Sequence, residues 1–445
     1  MNKTQPYVLS KEENRKYILY CVLMMAIIVF SCFFTQFHRN SPGVIKEVLS
    51  QTFSMTSVEY ANFSSMYFYP YMLMQIPVGL IVDKFGTKKT LAGSLFVCAV
   101  ATILFSTANS YTMLCVSRAL IGIGVSTPVV CTSKFYSTWF RRKRAATAHG
   151  IGQGLQSVLG LLGQTPLAIA VGYFSWRHTF LAIGIGTLVI VVIVLIFLKD
   201  SPQKVGLPSV QEMDGTAPVK SAEKIRSLES IKLVYTNKYT WPFLVLLPII
   251  MGTYNMFSTT WLIPYVTDVM SCTTVEATKY STIMMVGMMV ANFTFNLVSD
   301  LLKRRKPVYI FGFSCLAVGW VFIAFFTPFV IRTNTLAIFC FLMGLSQGNC
   351  PLSFALLREL NHPDIAGSAT GCTNMIGMLG SCIFPLIVGA IIDSQRLAGT
   401  GNIELYRSAF TFSAILAIAA LVIVLFVKET RCANIYFDKI RKAGK

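Results

Sequence analysis

Twelve long apolar runs, each bounded by charged or turn-forming residues, constrain the fold of this chain more than any other feature. An α-helix needs about 20 apolar residues to cross a bilayer, and irregular backbone is tolerated there only where protein buries it. The sequence therefore predicts an all-α membrane protein with twelve transmembrane helices and with both termini on one side. The predicted spans, numbered 1 to 12 in chain order, cover about residues 18–48, 57–82, 90–108, 111–137, 145–172, 176–198, 241–269, 275–299, 307–328, 334–357, 365–392 and 405–427.

The excess of basic residues follows this topology. The chain carries 38 Lys and Arg against 19 Asp and Glu, a net charge of +19 that would also suit a nucleic-acid binder. With the N-terminus in the cytoplasm, 29 basic residues fall on the cytoplasmic side, six on the opposite side and three inside spans. This asymmetry is the positive-inside rule, and no soluble stretch interleaves basic with aromatic residues as a nucleic-acid binder would. We predict cytoplasmic termini, no nucleic-acid partner and a multi-pass protein of a bacterial inner membrane.

The sequence gives no indication of a catalytic or metal site. None of the twelve Cys form a CxxC pair, and ten lie inside apolar runs, as small buried residues do. No HExxH motif, paired carboxylates or Ser/His/Asp cluster stands at membrane depth. We therefore expect no enzyme activity, no cofactor and no metal.

A polar stretch divides the spans into six plus six, and the two halves show weak internal repetition. Features of the first half recur in the second at offsets of 217 to 223 residues. They are Leu80-x-x-Asp83 with Leu297-x-x-Asp300, Gly122 and Pro128 with Gly344 and Pro351, and a glycine-rich run before Pro166 with another before Pro385. Such a repeat is typical of transporters with a substrate site near the midplane. We predict a monomer of two pseudo-repeated six-helix bundles, residues 1–198 and 241–445, joined by a cytoplasmic linker at 199–240.

The loop between spans 2 and 3 reads Gly79-Leu-Ile-Val-Asp83-Lys84-Phe85-Gly86-Thr87-Lys88-Lys89. An acid at the end of a helix can accept hydrogen bonds from a neighbouring helix N-terminus while pairing with Lys or Arg. In a twelve-span chain this loop resembles the signature of the major facilitator superfamily, G-x-L-x-D-[RK]-x-G-[RK]-[RK], and a degenerate second copy follows span 8. The resemblance implies alternating access and a cytoplasmic gate at Gly79, Asp83, Gly86, Lys88, Lys89 and Asp300.

Further motifs resemble one branch of that superfamily, the anion:cation symporters. They are Phe37-His38-Arg39-Asn40 in span 1, Tyr71-x-x-x-Gln75-Ile76-Pro77-x-Gly79 in span 2, Arg118-Ala-Leu-Ile-Gly122 in span 4, Trp176-Arg177 at the start of span 6 and Trp261-Leu-Ile-Pro264-Tyr265 in span 7. The resemblance implies transport of sugar acids, other carboxylates or phosphate. One position departs from the branch, because the Glu implicated in proton coupling is replaced by Val125. The coupling ion, proton or sodium, and the choice between symport and uniport therefore stay open.

Two arginines stand inside predicted spans, where an ionisable residue is costly and indicates function. Arg39 lies in the outer half of span 1 and Arg118 about two turns into span 4, while no Asp or Glu lies deep in any span. An anionic substrate would supply the missing partner, because a guanidinium binds a carboxylate or phosphate through two parallel hydrogen bonds. We predict that both arginines bind substrate. The alternatives are that Arg39 snorkels to the interface and that Arg118 bonds helix-end carbonyls.

Polar residues inside the spans complete the predicted substrate site. On span 2, Tyr67, Tyr71 and Gln75 follow one another at i, i+4 spacing on one helical face. By the resemblance, the positions of Tyr71 and Asn374 contact the substrate. His38 is the candidate for proton coupling because His titrates near neutral pH, and its alternative is a helix-end residue at the interface. The remaining candidates, whose alternative role is to bond one helix to another, are Asn255, Thr259, Gln347 and Asn349.

Together these features predict a secondary transporter in a lipid bilayer whose partner is a small organic anion. Two alternatives remain. One is a transporter of the same fold for another small solute such as a small peptide, and the other is a non-transporting nutrient sensor. Cation efflux would favour a deep acidic residue, and sensors usually carry long soluble tails, whereas the tails of this chain have only about 17 residues each.

Overall fold

The computed structural model describes residue 7 and residues 9–214, 227–326, 335–361 and 366–433. Every regular element within these residues is helical. A π-helical stretch, Met256–Trp261, joins the α-helix that ends at Asn255 to the α-helix that begins at Leu262. The α-helices are α1 (Lys11–Phe53), α2 (Ser57–Ser65), α3 (Phe68–Ser106), α4 (Tyr111–Gly124), α5 (Thr127–Trp139), α6 (Arg142–Phe197), α7 (Val210–Asp214), α8 (Ser227–Thr236), α9 (Trp241–Asn255), α10 (Leu262–Met270), α11 (Thr274–Leu301), α12 (Lys306–Phe325), α13 (Leu336–Ser346), α14 (Asn349–Leu360), α15 (Ala366–Leu397) and α16 (Asn402–Ile423).

Ten helices in the described part of the chain are long and apolar enough to cross a membrane. Two pairs of predicted spans run on as single long helices with one non-helical residue between them. Span 3 follows span 2 inside α3 across Gly86 (φ 81°, ψ 169°), and span 6 follows span 5 inside α6 across Ser175 (φ 64°, ψ 154°). With α2 and the first part of α3 counted as span 2, each of the twelve predicted spans is built from helix over its described residues, and the predicted all-α fold class is confirmed.

Four spans are interrupted near a proline, because proline lacks the N–H that a helix interior needs. In the first turn of a helix proline is tolerated, since an N–H there has no partner within the helix. Spans 2, 4 and 10 therefore restart just ahead of Pro70, Pro128 and Pro351, after breaks at residues 66–67, 125–126 and 347–348. Span 7 instead widens into the π-helical stretch, which ends just before Pro264.

Contacts divide the chain into two compact units, of which unit 1 comprises Met1–Arg39 and Tyr69–Glu223. On the predicted cytoplasmic side its core surrounds the buried ring of Trp139. The Trp139 carbonyl accepts a hydrogen bond from the Tyr17 hydroxyl at 2.5 Å, and its indole N–H donates to the Lys199 carbonyl at 3.2 Å. These bonds hold together the beginning of α1, the end of α5 and the segment that follows α6.

Unit 2 comprises Asn40–Phe68 and Lys224–Lys445. Aromatic rings from the π-helical stretch, α12 and α16 lie at its centre, where the Phe257 ring centroid is 5.1 Å from that of Trp320 and 5.4 Å from that of Phe410. Unit 2 thus also contains the last part of α1 and all of α2. The functional division into bundles 1–198 and 241–445 with a linker at 199–240 stays a prediction.

Candidate substrate site and cytoplasmic gate

Arg39 lies half-buried on α1 with its guanidinium against an aromatic ring of the same unit. Its Cζ is 5.7 Å from the centroid of the Tyr71 ring, which is buried on α3. One turn further along α3, the Gln75 amide lies 3.4 Å from the Tyr71 carbonyl. A cation held over an aromatic face keeps its plane fixed, and a guanidinium presents its donors along the edge of that plane. This arrangement suits two-pronged recognition of a carboxylate.

Arg118 on α4 is almost fully buried, and its Nη2 donates a 2.6 Å hydrogen bond to the carbonyl of His38 on α1. That carbonyl is available for a physical reason. Pro42 stands four residues further along α1 and has no N–H to donate back to it. The arrangement matches the alternative that Arg118 bonds a helix carbonyl, although the carbonyl lies inside α1 and not at its end. The substrate-binding role of Arg118 stays a prediction.

His38 is fully buried inside unit 1. The alternative to a coupling role is a helix-end histidine at the membrane interface. Its Nε2 lies 3.3 Å from the Thr102 hydroxyl, and that hydroxyl donates to the Cys98 carbonyl at 2.7 Å. Because the Thr102 hydroxyl proton points to the Cys98 carbonyl, the Thr102 oxygen accepts from an Nε2–H of His38. The ring is thereby oriented by α3, and the proposed coupling role of His38 stays a prediction.

The aromatic face predicted on span 2 is interrupted. Tyr67 is buried in the two-residue break between α2 and α3, with its ring centroid 5.1 Å from that of Phe68. Tyr67 belongs to unit 2, whereas Tyr71 and Gln75 belong to unit 1. The expectation that all three share one continuous helical face is therefore wrong for Tyr67, because the helix restarts ahead of Pro70.

Two of the predicted polar residues of span 7 bond within unit 2. The Asn255 amide donates to the Ser381 hydroxyl of α15 at 2.8 Å. Thr259, in the π-helical stretch, donates its hydroxyl proton to the Asn255 carbonyl at 2.7 Å. The pair therefore lies at a contact between span 7 and span 11, and the Thr259 oxygen keeps acceptor capacity.

The remaining candidates lie on spans 10 and 11. The Gln347 amide donates to the Ile250 carbonyl of α9 at 3.0 Å. Asn349 is fully buried and donates to the Tyr309 carbonyl of α12 at 2.9 Å, beside Gly312, where a Cβ would come within 2.4 Å of the amide oxygen. Asn349 thus has the geometry of a helix–helix bond. Asn374 is half-buried on α15, and among the described residues its amide makes no hydrogen bond.

A cavity of about 600 Å³ between α1 and α6 contains none of the predicted substrate residues. Its lining in unit 1 is apolar apart from His178 and Thr179. An organic anion needs a cationic partner or several hydrogen-bond donors in such a place, so we assign no anion site to this cavity.

The predicted cytoplasmic gate contains an acid that the sequence reasoning did not select. Asp200 follows α6, and its Oδ1 accepts the Lys88 backbone N–H at 2.7 Å. Gly86 allows this approach, because a Cβ there would lie 2.9 Å from Asp200 Oδ1 and its φ of 81° favours glycine. Asp200 also pairs with Lys204 at 2.6 Å. The sequence signal that could have found this acid is Asp200-Ser201-Pro202, directly after the last apolar run of the first half.

The other gate residues of this loop are placed less tightly. Lys89 is exposed on α3, and a Cβ added at Gly79 would meet nothing within 4 Å. The side chain of Asp83 lies outside what the structure describes. The gating roles of these residues stay predictions.

The second half repeats the arrangement of Asp200. Glu429 follows α16, and its two carboxylate oxygens accept the backbone N–H groups of Arg305 and Lys306, each at 2.9 Å, at the start of α12. The Arg305 guanidinium bonds Asp300 at 2.6 Å and Glu359 of α14 at 2.8 Å. Burial raises the pKa of the Glu429 carboxyl, but four hydrogen bonds from backbone N–H groups lower that pKa by more. The pKa of Glu429 is therefore below its ordinary value. In each half, an acid that follows the last span therefore caps the start of the third span of that half, which is span 3 or span 9.

Asp200→Ala is expected to lower the free energy of unfolding of the purified protein at neutral pH by about 1 kcal/mol, the usual cost of a lost helix cap. Burial raises the pKa of Asp200, but hydrogen bonds from Lys204 and the Lys88 backbone lower it more, so the native pKa lies below the ordinary value. Stability from this carboxylate is therefore present at neutral pH and is lost as pH falls through the native pKa. Thermal melts of wild type and variant in detergent should converge in acid. A constant gap at every pH would contradict the capping role.

Two named relatives are similar to this chain over nearly its whole length. A D-galactonate transporter of Escherichia coli O6:H1 is 24% identical over 445 residues, covering 96% of this chain and 99% of the relative. A probable galactarate/D-glucarate transporter of Bacillus subtilis is 20% identical over 439 residues, covering 94% and 92%. The solved structure of a bacterial homologue of the human lysosomal transporter Spinster, inward-facing and unoccupied, has a TM-score of 0.69 at 14% identity, covering 94% and 96%; it shows likeness of fold alone.

A family model described as Major Facilitator Superfamily matches residues 25–289 and 263–434. The matched residues contain the apolar helices described above, which make the chain an integral, multi-pass membrane protein. The two relatives are named as a transporter and a probable transporter. The chain therefore belongs to the Major Facilitator Superfamily.

Proposed function

We propose that the protein is a secondary transporter of a small organic anion, a carboxylate or sugar acid, that works by alternating access. The observation that carries this proposal is the Arg39 guanidinium, held inside span 1 against the Tyr71 ring. An ionisable group inside a span is costly and indicates function, and the donor edge of this guanidinium suits the two-pronged binding of a carboxylate.

The candidate residues divide into distinct roles in this proposal. Arg39 binds the carboxylate, and Tyr71 with Gln75 orients the arginine and the substrate beside it. Arg118 holds the part of α1 just before Pro42 through the His38 carbonyl and so keeps Arg39 in place. In unit 2, Asn255, Thr259, Gln347 and Asn374 supply hydrogen-bonding groups for the hydroxyls of a sugar acid. The names of the galactonate and galactarate/glucarate relatives support this substrate class.

Coupling to an ion is the open element of the mechanism. Val125 cannot carry a proton, and it stands where the branch often has a Glu. This position favours gradient-independent uniport as the second candidate function. If protons are coupled nevertheless, His38 is the titratable residue next to Arg39.

Uptake into proteoliposomes tests substrate and coupling together. We expect the purified protein to take up at least one of D-galactonate, D-glucarate and galactarate, and a matched sugar without a carboxylate should not compete. The panel is measured with no gradient, with a proton gradient and with a sodium gradient. Accumulation above the outside concentration under one gradient supports symport, and equal flux under all three supports uniport. Failure to move any anion, together with uptake of a neutral solute or peptide, would refute the anion proposal.

A further inference from the structure

The last part of α1 and all of α2 are held on the helices of the second half by several independent contacts within unit 2. A Cβ at Gly43 of α1 would lie 3.1 Å from the Thr259 carbonyl, and one at Gly389 of α15 would lie 2.8 Å from the Ser57 carbonyl. The Ser64 and Thr260 hydroxyls are 2.7 Å apart. By the positive-inside topology, these segments lie on the outer side of the membrane.

An ion pair joins α1 to α10 at this end. The Lys46 ammonium lies 3.8 Å from the Asp268 carboxylate, and the two side chains are 16% and 33% exposed. The ammonium also lies over the ring of Trp261, at 5.2 Å from its centroid. The Tyr406 hydroxyl of α16 donates a 2.6 Å hydrogen bond to Asp268 Oδ2, the oxygen that faces Lys46. One carboxylate therefore connects α1, α10 and α16.

A second carboxylate holds the beginning of α2. Asp393 of α15 accepts the backbone N–H groups of Ser57 and Val58 through its two oxygens, each at 2.8 Å. These N–H groups belong to the first turn of α2, where backbone donors have no acceptor within the helix. The positive end of the helix dipole adds to the attraction. Because α2 has only nine residues, its first turn is a large part of the element.

The cavity beside these contacts has a volume of about 310 Å³ and balanced charge. Its ionised lining residues are Lys46, Arg396, Glu47 and Asp268. Two cations and two anions neutralise one another without a bound ion, so the cavity offers no net attraction to an organic anion. We therefore assign the charges to holding helices together and not to a ligand.

We propose that Lys46, Asp268, Tyr406 and Asp393 form an outer latch, which holds the outer ends of spans 1 and 2 on spans 7, 11 and 12 and must break each time the transporter opens outward. Two weak points in the chain let these segments turn: Pro42, which removes a backbone hydrogen bond inside α1, and the break at residues 66–67 between α2 and α3. The latch rests on the alternating access of the proposed function, but its integrity is measurable without substrate.

Hydrogen–deuterium exchange of the full-length protein in lipid nanodiscs, without substrate, tests the latch directly. In Asp268→Asn and Lys46→Met, amides of α2 and of α10 should exchange about two- to fivefold faster than in wild type, as expected for the loss of a partly exposed ion pair. Asp393→Ala should speed exchange of the first turn of α2 about fivefold or more, because a helix cap is lost. Amides in α4 should not change in any variant.

Glu47→Gln is the matched control. Glu47 lines the same cavity and is exposed, but its carboxylate is not part of the latch. Removing this charge should leave the exchange of α2 and α10 unchanged. Equal exchange in wild type, Asp268→Asn, Lys46→Met and Asp393→Ala would overturn the proposal, as would an effect of Glu47→Gln as large as theirs.

A crosslink tests whether the latch must open during transport. In S64C/T260C the new sulfurs replace two oxygens that are 2.7 Å apart, and oxidation should join them, which intact mass verifies. The oxidised double variant should lose uptake and a reductant should restore it, while each single variant keeps uptake in oxidant. Full uptake by the crosslinked protein overturns the latch. If wild type moves no anion, the proposed function fails, and the exchange experiment still decides whether the latch exists.

Discussion

Arg39→Ala is expected to lower anion uptake per reconstituted molecule by at least about 30-fold, mainly through a higher KM. Truncating one partner of a buried, hydrogen-bonded charge pair costs about 2 to 5 kcal/mol, and each 1.4 kcal/mol is about tenfold in affinity. Arg39→Lys keeps the charge but loses the planar fork, so it should recover only part of the uptake. Initial rates over a range of substrate concentration measure both parameters.

Arg177→Gln is the matched control for the loss of an arginine from the same unit. The Arg177 guanidinium lies 4.5 Å from the centroid of the Trp176 ring and donates to the Ser106 carbonyl at 3.1 Å, so it too is held by a ring and a helix. It lies at the start of span 6, on the predicted outer side, and its loss should leave KM within about twofold of wild type. Near-normal uptake by Arg39→Ala, in protein with a wild-type melting temperature, would remove Arg39 from the site.

Arg118→Met is expected to lower the free energy of unfolding by about 1 to 3 kcal/mol, because it removes the hydrogen bond that Arg118 donates to the buried carbonyl of His38. The cause can be isolated through Pro42. Pro42→Ala returns a backbone N–H to position 42, four residues after His38, where it donates to the same carbonyl. In the Pro42→Ala background the loss of Arg118 should therefore cost clearly less. Denaturation of the four proteins in one detergent gives the coupling between the two positions.

Transport by the double variant P42A/R118M then separates the two roles predicted for Arg118. If the variant is stable and transports normally, Arg118 acts only by holding α1. If it is stable and inactive, the guanidinium has a role at the substrate site as well. A cost of Arg118→Met that is the same with and without Pro42 would contradict the link between the proline and the arginine.

The number and order of the spans follow from the sequence because the length of an apolar run is a local property. The break at Gly86 was also foreseeable, since glycine stood in a charged loop between two runs. Within span 2, periodicity suggested one face through Tyr67 and Tyr71. This prediction is wrong for Tyr67 because the helix breaks at residues 66–67 and restarts ahead of Pro70, whereas the apolar run continues through the break.

The partners of the site residues were beyond sequence reasoning because they lie far apart in the chain. Asp200 caps the N–H of Lys88 across 112 residues, and Arg118 reaches the carbonyl of His38 across 80. Only the fold determines which helix end meets which acid. A rule that pairs each in-span proline with a buried donor elsewhere would have raised Arg118 as a structural residue, because the proline four residues after a carbonyl is visible in the sequence.

The acids Asp200 and Glu429 give each half of the protein a closure of its own. Each comes from the end of its half and holds an element that begins earlier in the same half, so neither bond depends on the peptide chain that joins the halves. A cut between Asp214 and Ser227 would leave both closures intact. The two halves are therefore candidates for separate synthesis and reassembly in one membrane.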